Sequence, residues 1–191
     1  MRSLVTISAP SGTGKTTLCR ALQEQNPELK FSVSCTTRNK RNYEVDGFDY
    51  YFISRENFQE KIDADEFAEY EIVHGEYYGT LRSSLAEAIE NQSVLLLEVD
   101  VRGALSIKKL FPKQCVGIFI FPPGIEDLKK RLHGRGTDSP ERIKTRLQRF
   151  ELEMGYKDHF EHHVINDDID RAVKELLTII HQETKGVNYV T

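Results

Sequence analysis

Leu4-Val5-Thr6-Ile7-Ser8-Ala9-Pro10-Ser11-Gly12-Thr13-Gly14-Lys15-Thr16-Thr17 is the stretch that decides the fold. Leu4 to Ser8 is short, apolar and β-leaning, and a glycine-rich turn follows at once. From Thr16 to Gln25 the apolar residues Leu18, Ala21 and Leu22 recur at helical spacing. Asn26-Pro27 closes that helix, because proline disfavours helix in the residue before it. Strand, Gly-x-Gly-Lys-Thr turn and helix in this order form the setting of a phosphate-binding P-loop. The glycines let backbone N–H groups wrap phosphate oxygens, and the helix N-terminus adds partial positive charge. Ser11, Gly12, Thr13, Gly14, Lys15, Thr16 and Thr17 are therefore expected to hold the phosphates of a nucleoside triphosphate. Lys15 is expected to reach the β- and γ-phosphates and the Thr16 hydroxyl to ligate Mg²⁺. Ala9 stands at the motif's first glycine, a small departure because the later glycines do the close wrapping. The motif implies binding of a nucleoside triphosphate but names no reaction.

The remaining chain surrounds this opening with alternating strands and helices. Phe31 to Thr36, Tyr50 to Ile53, Phe67 to Val73, Val94 to Asp100, Cys115 to Phe121 and His163 to Asn166 read as strands. Arg55–Ile62, Leu81–Asn91, Gly103–Leu110, Ile125–Leu132, Pro140–Tyr156 and Ile169–Glu183 read as helices. Val94 to Leu97 and Cys115 to Phe121 are nearly continuous apolar runs, the mark of parallel strands covered on both faces. Phe67, Glu69, Glu71 and Val73 are expected on one face of their strand, with Ala68, Tyr70 and Ile72 on the other. The pattern predicts an α/β fold: a P-loop-type parallel sheet flanked by helices, with a small mixed insertion and a helical lid. Residues 1–33, 81–125 and 157–191 would form the core, 34–80 the insertion and 126–156 an arginine-rich lid with its flanking helices.

Composition narrows the function classes. The chain has 191 residues, enough for one real core, and 30 acids against 26 bases give a net charge of -4. That balance makes no case for a nucleic-acid or membrane partner. The longest apolar runs fall far short of the roughly 20 residues of a membrane span, and Met1-Arg2-Ser3 opens no signal-peptide layout. Cys19, Cys35 and Cys115 are too widely spaced for a metal or redox motif and read as thiols of a reducing, cytoplasmic setting. His162 and His163 are strand neighbours that face opposite ways, so they do not read as a metal pair.

The segment Ser34-Cys-Thr-Thr-Arg38-Asn-Lys-Arg41, followed by Glu44-Val-Asp-Gly47 and Asp49-Tyr50, resembles the guanylate kinase signature. Glu69, Tyr77-Tyr78-Gly79, Gly134-Arg135-Gly136 and Ile165-Asn166-Asp167-Asp168 carry the resemblance across nearly the whole chain. It implies transfer of the γ-phosphoryl of ATP to GMP, with Mg²⁺. The residue chemistry agrees. Arg38 and Arg41 offer planar forks for a phosphate dianion, and Tyr50 and Tyr78 offer neutral phenol donors. Guanine presents N1–H and an exocyclic amine on one edge. Glu69 is the carboxylate expected to accept both, which AMP would leave poorly satisfied. The resemblance also implies base contacts from Ser34, Thr80 and Asp100, and phosphate contacts from Arg38, Arg41, Tyr50 and Tyr78. Val94 to Asp100 is similar to a Walker B strand; either Glu98 or Asp100 could hold Mg²⁺ through water or touch a substrate. Departures from the family pattern are Thr80 for serine, Glu98 for aspartate, and Lys40 and Tyr43 for proline and glycine.

Arg131, Arg135, Arg142 and Arg146 suit a lid that neutralises a transition state with charge on three equatorial oxygens. The resemblance places Arg135 and Arg146 closest to the phosphates, with Arg131 and Arg142 in support; GMP and ATP respectively are the sides expected for Arg142 and Arg131. The plainer alternative is a salt-bridged surface face with Glu141, Glu151 and Glu153 as partners. Arg149 lies off this register and reads as solvated. The resemblance sets Asn166 near the ATP adenine, while Asp168 reads as a helix N-cap. Two rival functions share the fold: a kinase acting on a ribosyl phosphate, against which Ser34, Glu69 and Thr80 argue, and a phosphopeptide-binding scaffold module, against which the intact Lys15 and Thr16 argue. No nucleic-acid or membrane partner is expected, dGMP is a possible second acceptor, and the sequence leaves monomer and homodimer open.

Overall fold

The computed structural model describes residues 2–10, 12–73, 75–124 and 140–185, with side chains in the last span described from residue 145 onward. Ser11, Arg131, Arg135 and the helix expected at Ile125–Leu132 lie outside the described residues, as does the Arg142 side chain. The chain opens with β1 (Leu4–Ser8) and α1 (Lys15–Gln25), then β2 (Lys30–Phe31), β3 (Cys35–Thr36), β4 (Tyr51–Phe52) and α2 (Arg55–Asp63). The hairpin β5 (Phe67–Val73) and β6 (Glu76–Leu81) leads to α3 (Arg82–Glu90), β7 (Leu95–Glu98), α4 (Val101–Leu110) and β8 (Cys115–Phe121). Pro140–Met154, labelled α5, a short 3₁₀ turn, β9 (His162–Ile165) and α6 (Ile169–Glu183) follow.

Five strands make a parallel sheet in the order β2-β7-β1-β8-β9. Alternation along each strand divides its apolar side chains between two cores. Val5, Ile7, Leu96, Ile118 and Ile120 meet Leu18 and Leu22 of α1 and Val173, Leu176 and Ile180 of α6 on one face. Leu4, Leu97 and Phe119 meet Leu85 of α3 and Ala104 and Ile107 of α4 on the other. Both faces are therefore covered, as the continuous apolar runs imply. Asp168 caps α6 by accepting from the Arg171 N–H, as its position suggests.

A second, mixed sheet in the order β4-β3-β6-β5 carries the insertion. Here the structure departs from the sequence reading in three places, one of them β6 (Glu76–Leu81), a strand the sequence did not lead us to expect. The single strand expected at Phe31–Thr36 is two: Lys30–Phe31 pairs with β7 of the main sheet, while Cys35–Thr36 pairs with β4 and β6 of the second. A short apolar run shows strand character but not which sheet will take it, and residues 32–34 carry the chain from one to the other. The simple alternation expected along β5 also fails at its start. Phe67 faces Leu81 and Glu69 faces Thr80, so Ala68 is an extra, bulged residue. Phe67 stacks on Phe58 at 4.4 Å, with the exposed Tyr70 edge-on to Phe58 at the rim of this small core, whereas Ala68 is buried in the main core. From Glu69 onward the regular period resumes, with Tyr70 and Ile72 outward and Glu69, Glu71 and Val73 inward. The bulge both seats β5 against the main domain and turns Glu69 toward it.

Candidate active site

The phosphate loop lies at the carboxyl edge of the parallel sheet, where ligands of open α/β sheets gather. Gly12 and Gly14 have φ of 89° and 90°, a left-handed backbone that other residues adopt only under strain. Gly14 is the N-cap of α1 and no side chain caps that helix, so its first N–H groups are presented to the loop rather than to a cap. The Thr13 hydroxyl donates to the Pro10 carbonyl at 2.7 Å and the Asn166 amide to the Thr13 carbonyl at 2.9 Å. Asn166 is buried; it braces the loop from the end of β9. Lys15 Nζ donates to the Val99 carbonyl at 2.7 Å, and the exposed Thr16 hydroxyl donates to Glu98 Oε1 at 2.6 Å. Thr17 is exposed on the first turn of α1.

Glu98 ends β7, but Asp100 is not on the strand. It is the N-cap of α4, its Oδ1 accepting from the Gly103 N–H at 2.6 Å. Glu69 descends from β5 onto this helix end. A Cβ added at Gly103 would stand 2.7 Å from Glu69 Oε2 and 3.0 Å from Asp100 Oδ1. The Thr80 hydroxyl donates to Glu69 Oε1 at 2.5 Å. Two carboxylates and a buried hydroxyl thus converge on one point, with Ser34 half-buried at the head of β3. Burial pushes the Glu69 carboxyl up to about 7, opposed by the Thr80 hydrogen bond and assisted by the Asp100 charge.

At the other end of the insertion, Arg38 makes a paired contact with Glu44, Nη2 to Oε1 at 2.7 Å and Nη1 to Oε2 at 3.0 Å. Its guanidinium lies 5.5 Å from the Tyr50 ring centre and 5.6 Å from that of Phe52. The buried Glu44 also accepts from the Arg41 backbone N–H at 2.8 Å. Hydrogen bonding to Glu44 holds Arg38 firmly protonated and keeps the Glu44 carboxyl below its ordinary range. Arg41 is exposed, with Nη1 3.0 Å from the Tyr43 hydroxyl. Tyr50 and Tyr78 stand edge to face at 5.9 Å, and burial pushes the Tyr50 phenol up to about 12, so it stays a neutral donor. Both ends lie near the phosphate loop. The Lys15 charge acts on Glu69, the Glu98 charge acts on Tyr50, and Arg20 of α1 stands 3.8 Å from Asp49.

Glu44 was legible only as part of the segment Glu44-Val-Asp-Gly47; its role as the clamp on both arginines comes from the structure. The reading of Arg149 as solvated is wrong. Arg149 is half-buried and bonds Glu71 Oε1 at 3.1 Å and Glu153 Oε1 at 2.7 Å. Arg146 is half-buried one turn earlier on α5. His162 and His163 part as expected, to Glu183 and to the Lys157 carbonyl.

Comparison with known proteins agrees with this geometry. The family model described as guanylate kinase matches residues 1–183. The guanylate kinase of Salinibacter ruber is 46% identical over 182 residues, covering 95% of this chain and 96% of the relative. That of Porphyromonas gingivalis is 45% identical over 184 residues, covering 95% and 98%. The crystal structure of guanylate kinase from Anaplasma phagocytophilum superposes with a TM-score of 0.77 at 27% identity, covering 96% of this chain and 87% of that one.

The chain belongs to the guanylate kinase family. Guanylate kinases are nucleoside monophosphate kinases. Two consequences of the Glu69 setting are measurable. Gly103→Ala, with its Cβ pressed on the Glu69 carboxylate, is expected to raise KM for the acceptor about 10-fold or more and leave KM for ATP within about twofold. Steady-state kinetics with each substrate varied checks this. The second concerns pH. The raised folded-state value of Glu69 means the folded protein holds that proton more tightly than the unfolded chain. Its stabilising contribution is complete below the ordinary carboxylate range near 4.5 and is lost as pH rises through about 7. Glu69→Gln removes this dependence, so the variant should gain stability relative to the parent between pH 5 and 8, read by denaturant unfolding at each pH without ligand.

Proposed function

We propose that the chain transfers the γ-phosphoryl group of ATP to GMP, giving ADP and GDP. The observation that carries this reading is the convergence of Glu69, Thr80 and Asp100 at the α4 N-terminus, near Lys15 and Thr16. An acceptor pair of this kind is complementary to N1–H and the exocyclic amine of guanine, and adenine lacks that donor pair. The GMP phosphate sits between Arg38, Arg41, Tyr50 and Tyr78, with Glu44 fixing both arginines. Lys15 and the loop backbone receive the ATP phosphates. Thr16 and Glu98, 2.6 Å apart at the sheet edge, are hard oxygen donors that suit Mg²⁺ held by one or two protein oxygens beside phosphate oxygens and water. When bound, that ion neutralises charge on the phosphates. The nucleophile is already an anion, so the protein supplies alignment, charge neutralisation and exclusion of water rather than a base.

Residues 34–80 are the acceptor domain, and 126–156 the lid that brings Arg131, Arg135, Arg142 and Arg146 toward the transferred group. Closure of both on the phosphate loop keeps water from competing with GMP. Asn166 serves the ATP side by holding the loop at Thr13. The setting is cytoplasmic, which the free thiols of Cys19, Cys35 and Cys115 support. The test is ADP formation from MgATP with GMP, dGMP, AMP, CMP and UMP offered separately. Turnover confined to the guanine nucleotides is expected. Turnover with none, in folded protein that binds ATP, overturns the acceptor and points to a sugar phosphate.

A further inference from the structure

We propose that Glu71 and Arg149 are positioning residues for recognition of the guanine exocyclic amine, holding Asp100 in place and tying the acceptor sheet to α5. This rests on the GMP reading above and names two residues that neither the phosphate loop nor the acceptor signature contains.

Glu71 follows Glu69 by one full period on the inward face of β5, opposite Tyr78 just as Glu69 is opposite Thr80. Arg149 reaches it from α5, with Nη2 3.1 and 3.3 Å from the two Glu71 oxygens. The same guanidinium gives Nε to Glu153 Oε1 at 2.7 Å and brings Nη2 within 3.9 Å of Asp100 Oδ2. Asp100 Oδ1 is already taken by the Gly103 N–H. Oδ2 is therefore the oxygen able to turn to a ligand, and it is the one Arg149 approaches.

The electrostatics require such a partner. Glu69, Glu71 and Asp100 crowd the α4 N-terminus, and Glu153 closes the cluster from α5. Like charges at this range in a half-buried place repel, and one carboxyl takes up a proton or swings away. Burial and a hydrogen bond to Asp100 both push the Glu71 carboxyl up, and Arg149 opposes them. Arg149 opposes the upward push on Glu71 and faces Asp100, holding both carboxyl groups beside Glu69. The resulting acceptor-rich wall suits two donors on one base edge. Glu69 meets N1–H and one amine hydrogen, and Asp100 Oδ2 is left for the other. A base lacking that amine keeps only the N1–H contact to Glu69 and leaves Asp100 unanswered, so the pair acts on selectivity between GMP and IMP.

The experiment compares kcat and KM for GMP and IMP, with KM for ATP, in the wild type, Glu71→Gln, Arg149→Met, Arg149→Lys and the double variant Glu71→Gln/Arg149→Met. Each of Glu71→Gln and Arg149→Met is expected to raise KM for GMP about tenfold and lower the GMP-over-IMP preference by about the same factor, with KM for ATP within about twofold. The double variant should be no worse than the poorer single one, because both break one contact. Arg149→Lys, which keeps the charge without the fork, should recover part of the preference. Thermal unfolding of each variant separates folding from recognition; if Arg149→Met does not fold, the near-isosteric Glu71→Gln and Arg149→Lys decide. An unchanged GMP-over-IMP preference in folded variants, or equal loss with both acceptors, overturns the proposal. A wild type that turns over no GMP refutes the acceptor assignment itself, and the pair's role with it.

Discussion

Glu69→Ala lowers kcat/KM for GMP about 10²–10⁴-fold and leaves ATP binding intact, measured by steady-state turnover and by ATP titration of the same protein. The size follows from what the carboxylate does. On the proposed reading it accepts two hydrogen bonds from one base edge, and bonds to a charged group are worth roughly 1.5–3 kcal/mol each. Alanine removes both and leaves the Thr80 hydroxyl, which now donates to Glu69 Oε1 at 2.5 Å, without that partner. The loss falls on GMP alone because Glu69 hangs from β5 of the insertion, whereas the ATP phosphates belong to the loop between β1 and α1. The wild-type carboxyl, pushed up to about 7 by burial, also links recognition to pH. Its ionised form is the acceptor, so KM for GMP should rise as pH falls below about 7, and Glu69→Ala should lose that slope.

Lys15→Met lowers kcat about 10²–10³-fold, the usual cost of removing one preorganised donor from a developing anion, with KM for GMP changed little. Lys15 is the first residue of α1, and its ammonium reaches back to the Val99 carbonyl just past β7, at 2.7 Å. That position lies between the ends of the two central strands and beside the Thr16–Glu98 pair. Methionine keeps the length and apolar stem but removes the charge, so the fold around Leu18 and Leu22 survives. Single-turnover transfer measured beside steady-state kcat separates slowed chemistry from slowed product release. A kcat within threefold of wild type would sink the assignment of Lys15 to the transferring phosphates.

Much of this was legible beforehand because local pattern and long-range packing agreed. Strand, glycine turn and helix around Gly14-Lys15-Thr16 are specified within a dozen neighbouring residues. The apolar runs Val94–Leu97 and Cys115–Phe121 can be satisfied only by cover on both faces. Ile169–Glu183 carries its own cap and stripe, and the structure returns those bounds unchanged. Arg38, Glu69, Tyr78 and Thr80 could be picked out because the segments that hold them resemble the guanylate kinase signature, and their chemistry suits a phosphate and a guanine edge. Glu44, Glu71 and Arg149 could not be singled out in the same way. A glutamate near an arginine in sequence is ordinary surface pattern, and Arg149 is off the register of Arg142 and Arg146.

The sequence by itself determined most of the elements, the phosphate loop and the residue types of the proposed acceptor site, since each depends on neighbours along the chain. Only the tertiary structure decided which partners those residues meet. The bulge at Ala68 turns Glu69 onto the α4 N-terminus, the break at residues 32–34 divides one expected strand between two sheets, and the packing of α5 brings Arg149 to Glu71 and Asp100. The physical reason is the same in each case. Propensity and periodicity act over a few residues, while strand register and charge pairing are set by side chains that are 49 to 78 positions apart in the chain and adjacent only once the core has closed.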